Sequence, residues 1–419
     1  MLDFCYGIRG RNIFGSVRSS SLWLDLIRGL AALVVFFGHA RVLLIGSVLG
    51  AIGTGLAVPK SQSFEAIPIT GPGHEAVVVF FVLSGYLVGG SAIRSARNGT
   101  WSSSGYTIQR LSRLWTVLIP VLIFGFALDR LGISIASPNS IYGAPGGQRM
   151  VFPDLASRMS VKNLLLNLFF LQEILGKPFG TNGPLWSLAY EFWFYAAFPF
   201  LMFAVIPRRK WERLKCIIVL LIIGGFVGPK ISLYFALWLL GVAVDLAPKR
   251  IPLRYVGPLF ALCGLSFVSL LGVLIYAKLH IAISDAIQGP AFAVLCYVIA
   301  HLTREIKIGY ATAAIRKLAG FSYTLYAVHA PLLVFACAMW MPIWRPWSLN
   351  LSGIAKYAAT TAVVMLIAYG FYWLFERNTA TVRRRMERVW DFITVEKGLF
   401  GRAQAASVRS ERNEHTAKL

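Results

Sequence analysis

Charge is what this sequence is short of. Only 14% of its 419 residues are Asp, Glu, Lys or Arg, where a soluble domain carries roughly 25%. Acids are scarcer than bases, 18 against 41, for a formal net charge of +23. Cysteine is sparse and scattered: Cys5, Cys216, Cys263, Cys296 and Cys337 form no CxxC pair and no metal-ligand spacing. That excludes a disulfide framework and a zinc site from the reading, so no metal is expected and the thiols read as packing residues. No small-residue cleavage site follows the first apolar run, which is therefore expected to be a retained helix rather than a signal peptide. No internal repeat is visible, which counts against a transporter built from inverted halves.

What remains is apolar: 57% of the residues are hydrophobic and the mean hydropathy is +0.65. The expectation is an all-α, polytopic integral membrane helix bundle. The bases fall mostly in short segments between apolar runs and in the tail, as cytoplasmic loops beside anionic lipid headgroups predict. Membrane lipids, and not nucleic acid, are the expected partners of that charge. The runs read as spans near 22–46, 74–93, 109–131, 185–206, 216–227, 231–246, 255–276, 287–301, 318–341 and 354–375. The apolar stretch 161–176 is expected to be interfacial or re-entrant on the outer side. If it spanned, the basic run 207–215 would exit outside, against the positive-inside rule. That gives about ten spans with both termini cytoplasmic. A basic segment (1–20) precedes the membrane domain (21–376), and a basic tail (377–419), partly disordered, follows it.

Five stretches put polar side chains into these runs. The first run carries Asp25, Arg28, His39 and Arg41, each costly inside lipid unless it serves a purpose. Arg28 and His39 are eleven residues apart, about 20° from three full turns, so they share a direction roughly 16 Å apart along the axis. Asp25 lies three residues before Arg28 and can pair with it. In the second, Ser84 and Gly85 in FFVLSGYLVGGS allow close helix approach. In the third, Arg110 and Arg113 share a face at a cytoplasmic helix mouth, where they could clamp phosphates or carboxylates or simply anchor the helix. The fourth places Glu191 among Trp186, Tyr190, Trp193 and Tyr195. The fifth, FSYTLYAVHAPLL, holds Ser322, Tyr323, Tyr326 and His329, with a structural or substrate-lining role open for His329.

In this order, the stretches LDLIRGLAALVVFFGH, FFVLSGYLVGG, RLSRLWTVLIP, WSLAYEFWFY and FSYTLYAVHAPL resemble the membrane-bound acyltransferase type 3 family, O-acyltransferases of bacterial surface polysaccharides and other glycans. The resemblance covers about 22–375. It departs at Gln109, where the family often has another Arg. It implies an enzyme of the bacterial inner membrane that moves an acyl group, usually acetyl, from acyl-CoA in the cytoplasm to a sugar hydroxyl. The acceptor would be a glycan or a lipid-linked sugar, and no permanently bound cofactor is implied. By carry-over His39 is the catalytic residue, with Arg28 supporting it and Glu191 matching the acid of its block. Arg110 and Arg113 are the CoA-contacting cations, and Ser84, Tyr323 and His329 are expected to line the substrate site.

Acyl transfer fits these residue types, because it needs a base near the attacking hydroxyl and positive charge near the developing oxyanion. General-base action by His39 and an acyl-His39 intermediate both remain open. So do a small cytosolic acceptor, a proton-coupled transporter or flippase using the same buried groups, and a non-enzymatic component of a glycan assembly complex. A homo-oligomer is compatible with all of them.

Overall fold

Each apolar run becomes a helix for the same reason: in lipid a backbone N–H or C=O has no partner outside its own segment. The computed structural model describes residues 16–45, 73–143, 152–206, 209–277, 279–348 and 350–394. The expectations for the first 15 residues, for 46–72 and for the tail beyond 394 lie outside the described residues. Among those described, nine helices are long and apolar enough to cross a membrane.

Helix α1 (Ser19–Leu44) starts beside a two-stranded ribbon in which β1 (Ser16–Arg18) pairs antiparallel with β2 (Glu305–Lys307). We call this end of the bundle the proximal face and the other the distal face. Helix α2 (73–97) runs back to the proximal face and α3 (Ser103–Ile135) out again. Next comes a segment with a single helical turn (Leu155–Arg158) and the short α4 (Val161–Leu168). Helices α5 (Trp186–Val205), α6 (Lys210–Leu246), α7 (Leu253–Ala277), α8 (Ile281–Ala300), α9 (Tyr310–Trp340) and α10 (Leu351–Leu374) complete the bundle.

Nine is one fewer than the sequence count because α6 takes in both 216–227 and 231–246, as two helical arms on either side of a fold. The fold lies at Gly228, whose φ of 80° and ψ of 175° leave the helical region. Such a φ is easy only for glycine, and Pro229 then supplies no N–H to continue the ladder. The two arms run in opposite directions along α5. Arg213 donates to the Ala204 carbonyl at the proximal end of α5 (3.1 Å), and Phe226 reaches Trp193, with centroids 5.4 Å apart. The second arm returns past Tyr190 with Tyr234 and past Phe198 with Trp238. At its end Asp245 pairs with Arg94 of α2.

The SGYLVGG stretch shows why it is rich in glycine. Residues Gly85–Gly89 form a π-helical turn inside α2, and a Cβ on Gly85 would overlap the Trp238 carbonyl of α6. Gly241, opposite, has no room either, because its Cβ would overlap the Val82 carbonyl. Two backbones meet where side chains would hold them apart.

Helix α4 has eight residues, about 12 Å and too short to cross, in keeping with its reading as a non-spanning segment. Val161, Leu165 and Phe169 are exposed, whereas Asn163 and Asn167 face inward as a polar latch. Asn163 donates to the Arg158 carbonyl (2.8 Å) and Asn167 to that of Lys177 (2.9 Å). Asp129 of α3 accepts from the N–H and the hydroxyl of Thr181. These bonds fix the distal segment over the bundle, where it walls a cavity.

Candidate active site

Two cavities lie inside the bundle and share part of their walls. The proximal one is narrow, about 100 Å³, and is lined by Arg28, Arg110, Arg113, Glu191, Ser84 and Tyr323 among others. The distal one, about 610 Å³, is lined by His39, His74, Arg158, Lys177 and Tyr234. Val77 and Tyr326 line both. Tyr326 is held by Ser187 (2.7 Å) and by the Pro184 carbonyl, to which its hydroxyl lies at 3.1 Å.

The partner of His39 is His329. His39 Nδ1 lies 2.7 Å from His329 Nε2, the ring planes within 10° of each other and the centroids 5.0 Å apart, an edge-to-edge arrangement. His329 Nδ1 faces the carbonyls of Tyr326 (2.7 Å) and Leu325 (3.0 Å). Carbonyls only accept, so the proton of a neutral His329 sits on Nδ1 and its Nε2 accepts. His39 Nδ1–H must then be the donor, which leaves His39 Nε2 with its lone pair on a ring that lines the distal cavity. A backbone carbonyl, a buried imidazole and a cavity-lining imidazole thus form a line that defines the tautomer of both rings. Pro331 contributes to this geometry: lacking an N–H, it leaves the Ala327 carbonyl free, and Asn182 of the distal segment donates to it (2.8 Å).

The proximal pocket is cationic. Arg28 pairs with Asp25 at 3.1 Å, as their spacing allows. Arg110 stacks over Tyr106 and Tyr195, each ring centroid at 5.6 Å, and Arg113 over Tyr323 at 5.5 Å. Gln109 accepts from Arg110 at 2.8 Å, so the residue that departs from the family pattern orients the arginine beside it. The buried Nε donors of Arg28 and Arg110 meet no partner among the described residues. A buried donor left unpaired is costly, which suits an anionic visitor.

Glu191 accepts from Ser84 (3.1 Å) and from the Tyr195 hydroxyl, and Trp238 Nε1 donates to Ser84 at 3.2 Å. Its carboxylate therefore belongs to the proximal pocket, and the group that orients His39 is His329. His329, expected on the lining, lines neither of these two cavities and is fully buried behind His39. Ser84 and Tyr323 do line the proximal pocket.

Two groups escaped the sequence reading. Glu376 turns back onto α9, accepting from the N–H (3.1 Å) and hydroxyl (2.6 Å) of Thr324; it lies one residue beyond the expected last span, 354–375. His74 contacts both carboxylate oxygens of Asp285, at 2.9 and 3.0 Å, and Tyr234 donates to Asp285 at 2.6 Å. The expected span began at Ile287 and so left Asp285 outside. An acid two residues from a span boundary was the signal available.

A family model described as an acyltransferase domain matches residues 21–373. No curated protein matches the chain, and no solved structure does.

Proposed function

Taking as premise that the chain belongs to the acyltransferase 3 family, we propose that this multi-pass membrane protein is an acyl-CoA-dependent O-acyltransferase. Acetyl is the expected acyl group, and the acceptor is a sugar hydroxyl of a surface glycan or lipid-linked sugar. The observation that carries the reading is the pair of cavities sharing Tyr326, with arginines in one and His39 in the other. The proximal face bears the basic segments, including Arg94, Arg97, Lys210, Arg213 and Lys215, so the positive-inside rule assigns it to the cytoplasm. With the two arms of α6 crossing separately, there are ten crossings and both termini are cytoplasmic. A bacterial cytoplasmic membrane is the setting that the family's glycan-modifying role favours.

Cytoplasmic donor phosphates meet Arg110 and Arg113, while the thioester end passes Arg28 toward Tyr326 and His39. Charge-assisted bonds from guanidinium groups suit phosphate oxygens. The acceptor enters the larger distal cavity, where His39 Nε2 acts at the acyl carbon, as base toward the hydroxyl or as carrier of the acyl group. A cytosolic acceptor would have to share the narrow proximal pocket with the donor, which disfavours it.

The test is mass spectrometry of glycans and lipid-linked sugars from cells expressing wild type, His39→Ala or Arg113→Ala. An O-acyl mass increment that needs His39 supports the reading and identifies acyl group and acceptor. Full acylation with His39→Ala removes His39 from the chemistry, and no increment with wild type turns the reading toward a transporter.

A further inference from the structure

The distal cavity holds a second imidazole whose geometry is that of a base. His74 is the second residue of α2, and it stacks at 15° on Trp186, centroids 6.1 Å apart. Its Nε2 is placed against both oxygens of Asp285, and a carboxylate only accepts, so Nε2 carries the proton and Nδ1 the lone pair. Asp285 is 2% exposed, and Tyr234, whose hydroxyl lies 3.3 Å from His74 Nε2, donates to it as well. A buried carboxylate that fixes the tautomer of an imidazole lining a cavity is the arrangement general bases use.

His39 is close by along the fold. A Cβ on Gly73 would come within 3.8 Å of the Val35 Cα, and Val35 precedes His39 by about one helical turn, roughly 6 Å. Both imidazoles line the same cavity of about 610 Å³. Near neutrality one imidazole serves poorly as acyl carrier and acceptor base at once, because its Nε2 is then bonded to the acyl group and its Nδ1 is turned to His329 and away from the cavity.

We propose that His74, positioned by Asp285, is the base that takes the proton of the acceptor hydroxyl, while His39 carries the acyl group. The inference rests on the proposed acyltransferase activity and selects its carrier branch. In the first stage His39 Nε2 attacks the thioester carbonyl: an N–C bond forms, the C–S bond breaks, and the CoA thiolate leaves. The Nδ1 proton of His39 moves to His329 Nε2, leaving a neutral acyl-imidazole. In the second stage the hydroxyl oxygen attacks the acyl carbon and its proton goes to His74 Nδ1. The O–C bond forms, the N–C bond breaks, and His39 Nδ1 recovers its proton from His329. His74 releases its proton to solvent, matching the one the thiolate takes up.

Purified full-length protein loaded with radiolabelled acetyl-CoA tests this, with glycerol as hydroxyl probe and hydroxylamine as a nucleophile that needs no base. Wild type and His74→Ala should both take label on His39, and His39→Ala none. Glycerol should discharge the label about 100-fold or more slower from His74→Ala, the size of a general-base contribution. Hydroxylamine should discharge both alike, and Asp285→Asn should slow only the glycerol reaction. Equal glycerol discharge from His74→Ala and wild type would overturn the assignment. So would equal slowing by both nucleophiles, since a loss common to both is a misshapen cavity. A wild type that never takes label overturns the carrier stage beneath the inference and is read separately, from the loading step alone.

Discussion

His329→Ala removes the acceptor that holds His39, and the size of its effect follows from the geometry. The side chain is fully buried, and its Nε2 is 2.7 Å from His39 Nδ1. Without it, the buried Nδ1–H of His39 is unpaired, a loss of about 1–3 kcal/mol. Part of it is recovered if the ring turns or changes tautomer, but either response withdraws the Nε2 lone pair from the acyl carbon. The expected fall in kcat is therefore about 5- to 150-fold, since each 1.4 kcal/mol is tenfold, with the KM for acetyl-CoA little changed. His329→Gln discriminates orientation from bulk, because its amide oxygen reaches about as far as Nε2 and accepts. It should restore part of the rate but stop short of wild type, because an amide oxygen holds the Nδ1–H yet cannot take its proton as His329 does in the carrier stage. The assay is initial-rate transfer from acetyl-CoA in detergent, with melting temperature measured in parallel. An alanine variant within threefold of wild type, or a glutamine variant no better than alanine at equal stability, would refute the tautomer argument.

Three further outcomes are expected. Arg113→Ala, which loses a guanidinium stacked on Tyr323, should raise the KM for acetyl-CoA about 10- to 100-fold, the worth of charge-assisted hydrogen bonds; an unchanged KM would take the donor out of that pocket. Gly85→Ala would drive a methyl group into the Trp238 carbonyl and should cost about 1–3 kcal/mol, seen as a lower melting temperature; an unchanged one would mean that the helices part freely there. Asp154 lies in the distal segment, and its hydrogen bonds to Arg158 and Lys177 lower its carboxyl to about 2. A lowered folded-state value stabilises fully above the ordinary carboxylate range, near pH 4, and the stabilisation is lost as pH falls toward 2. Protection from hydrogen exchange across 152–182, taken relative to the intrinsic amide rates, should thus fall only below about pH 4, and Asp154→Asn should show the lower protection already at neutral pH; identical protection in the variant would dismiss Asp154 as a tie of that segment.

The helical bundle was legible because its cause is local: apolar runs of sufficient length must close their hydrogen bonds within themselves. The fold of α6 was legible as well, since Gly228–Pro229 announces a break, and the two runs on either side of it are the two arms of α6. The arginines of the proximal pocket and their aromatic neighbours were visible as charges within apolar runs. Less legible was anything fixed by a neighbour 200 or more residues away. The contact between His39 and His329, the grip of Asp285 on His74 and the shared wall at Tyr326 depend on which helices pack together, and no spacing within one helix encodes that. Glu191 shows the same limit. Its place among the aromatics of its block does not name its partners, of which Ser84 lies 107 residues away on another helix.

The central claim is that an acyl group enters at the cytoplasmic Arg110–Arg113 pocket and leaves from His39 on the other side. Sealed vesicles of known orientation, given radiolabelled acetyl-CoA on one side only, test it most directly. The account predicts labelling of the protein and its glycan products when donor faces the proximal side, none when it faces the distal side, and none with His39→Ala in either orientation. Equal labelling from both sides, or labelling that survives His39→Ala, would contradict it.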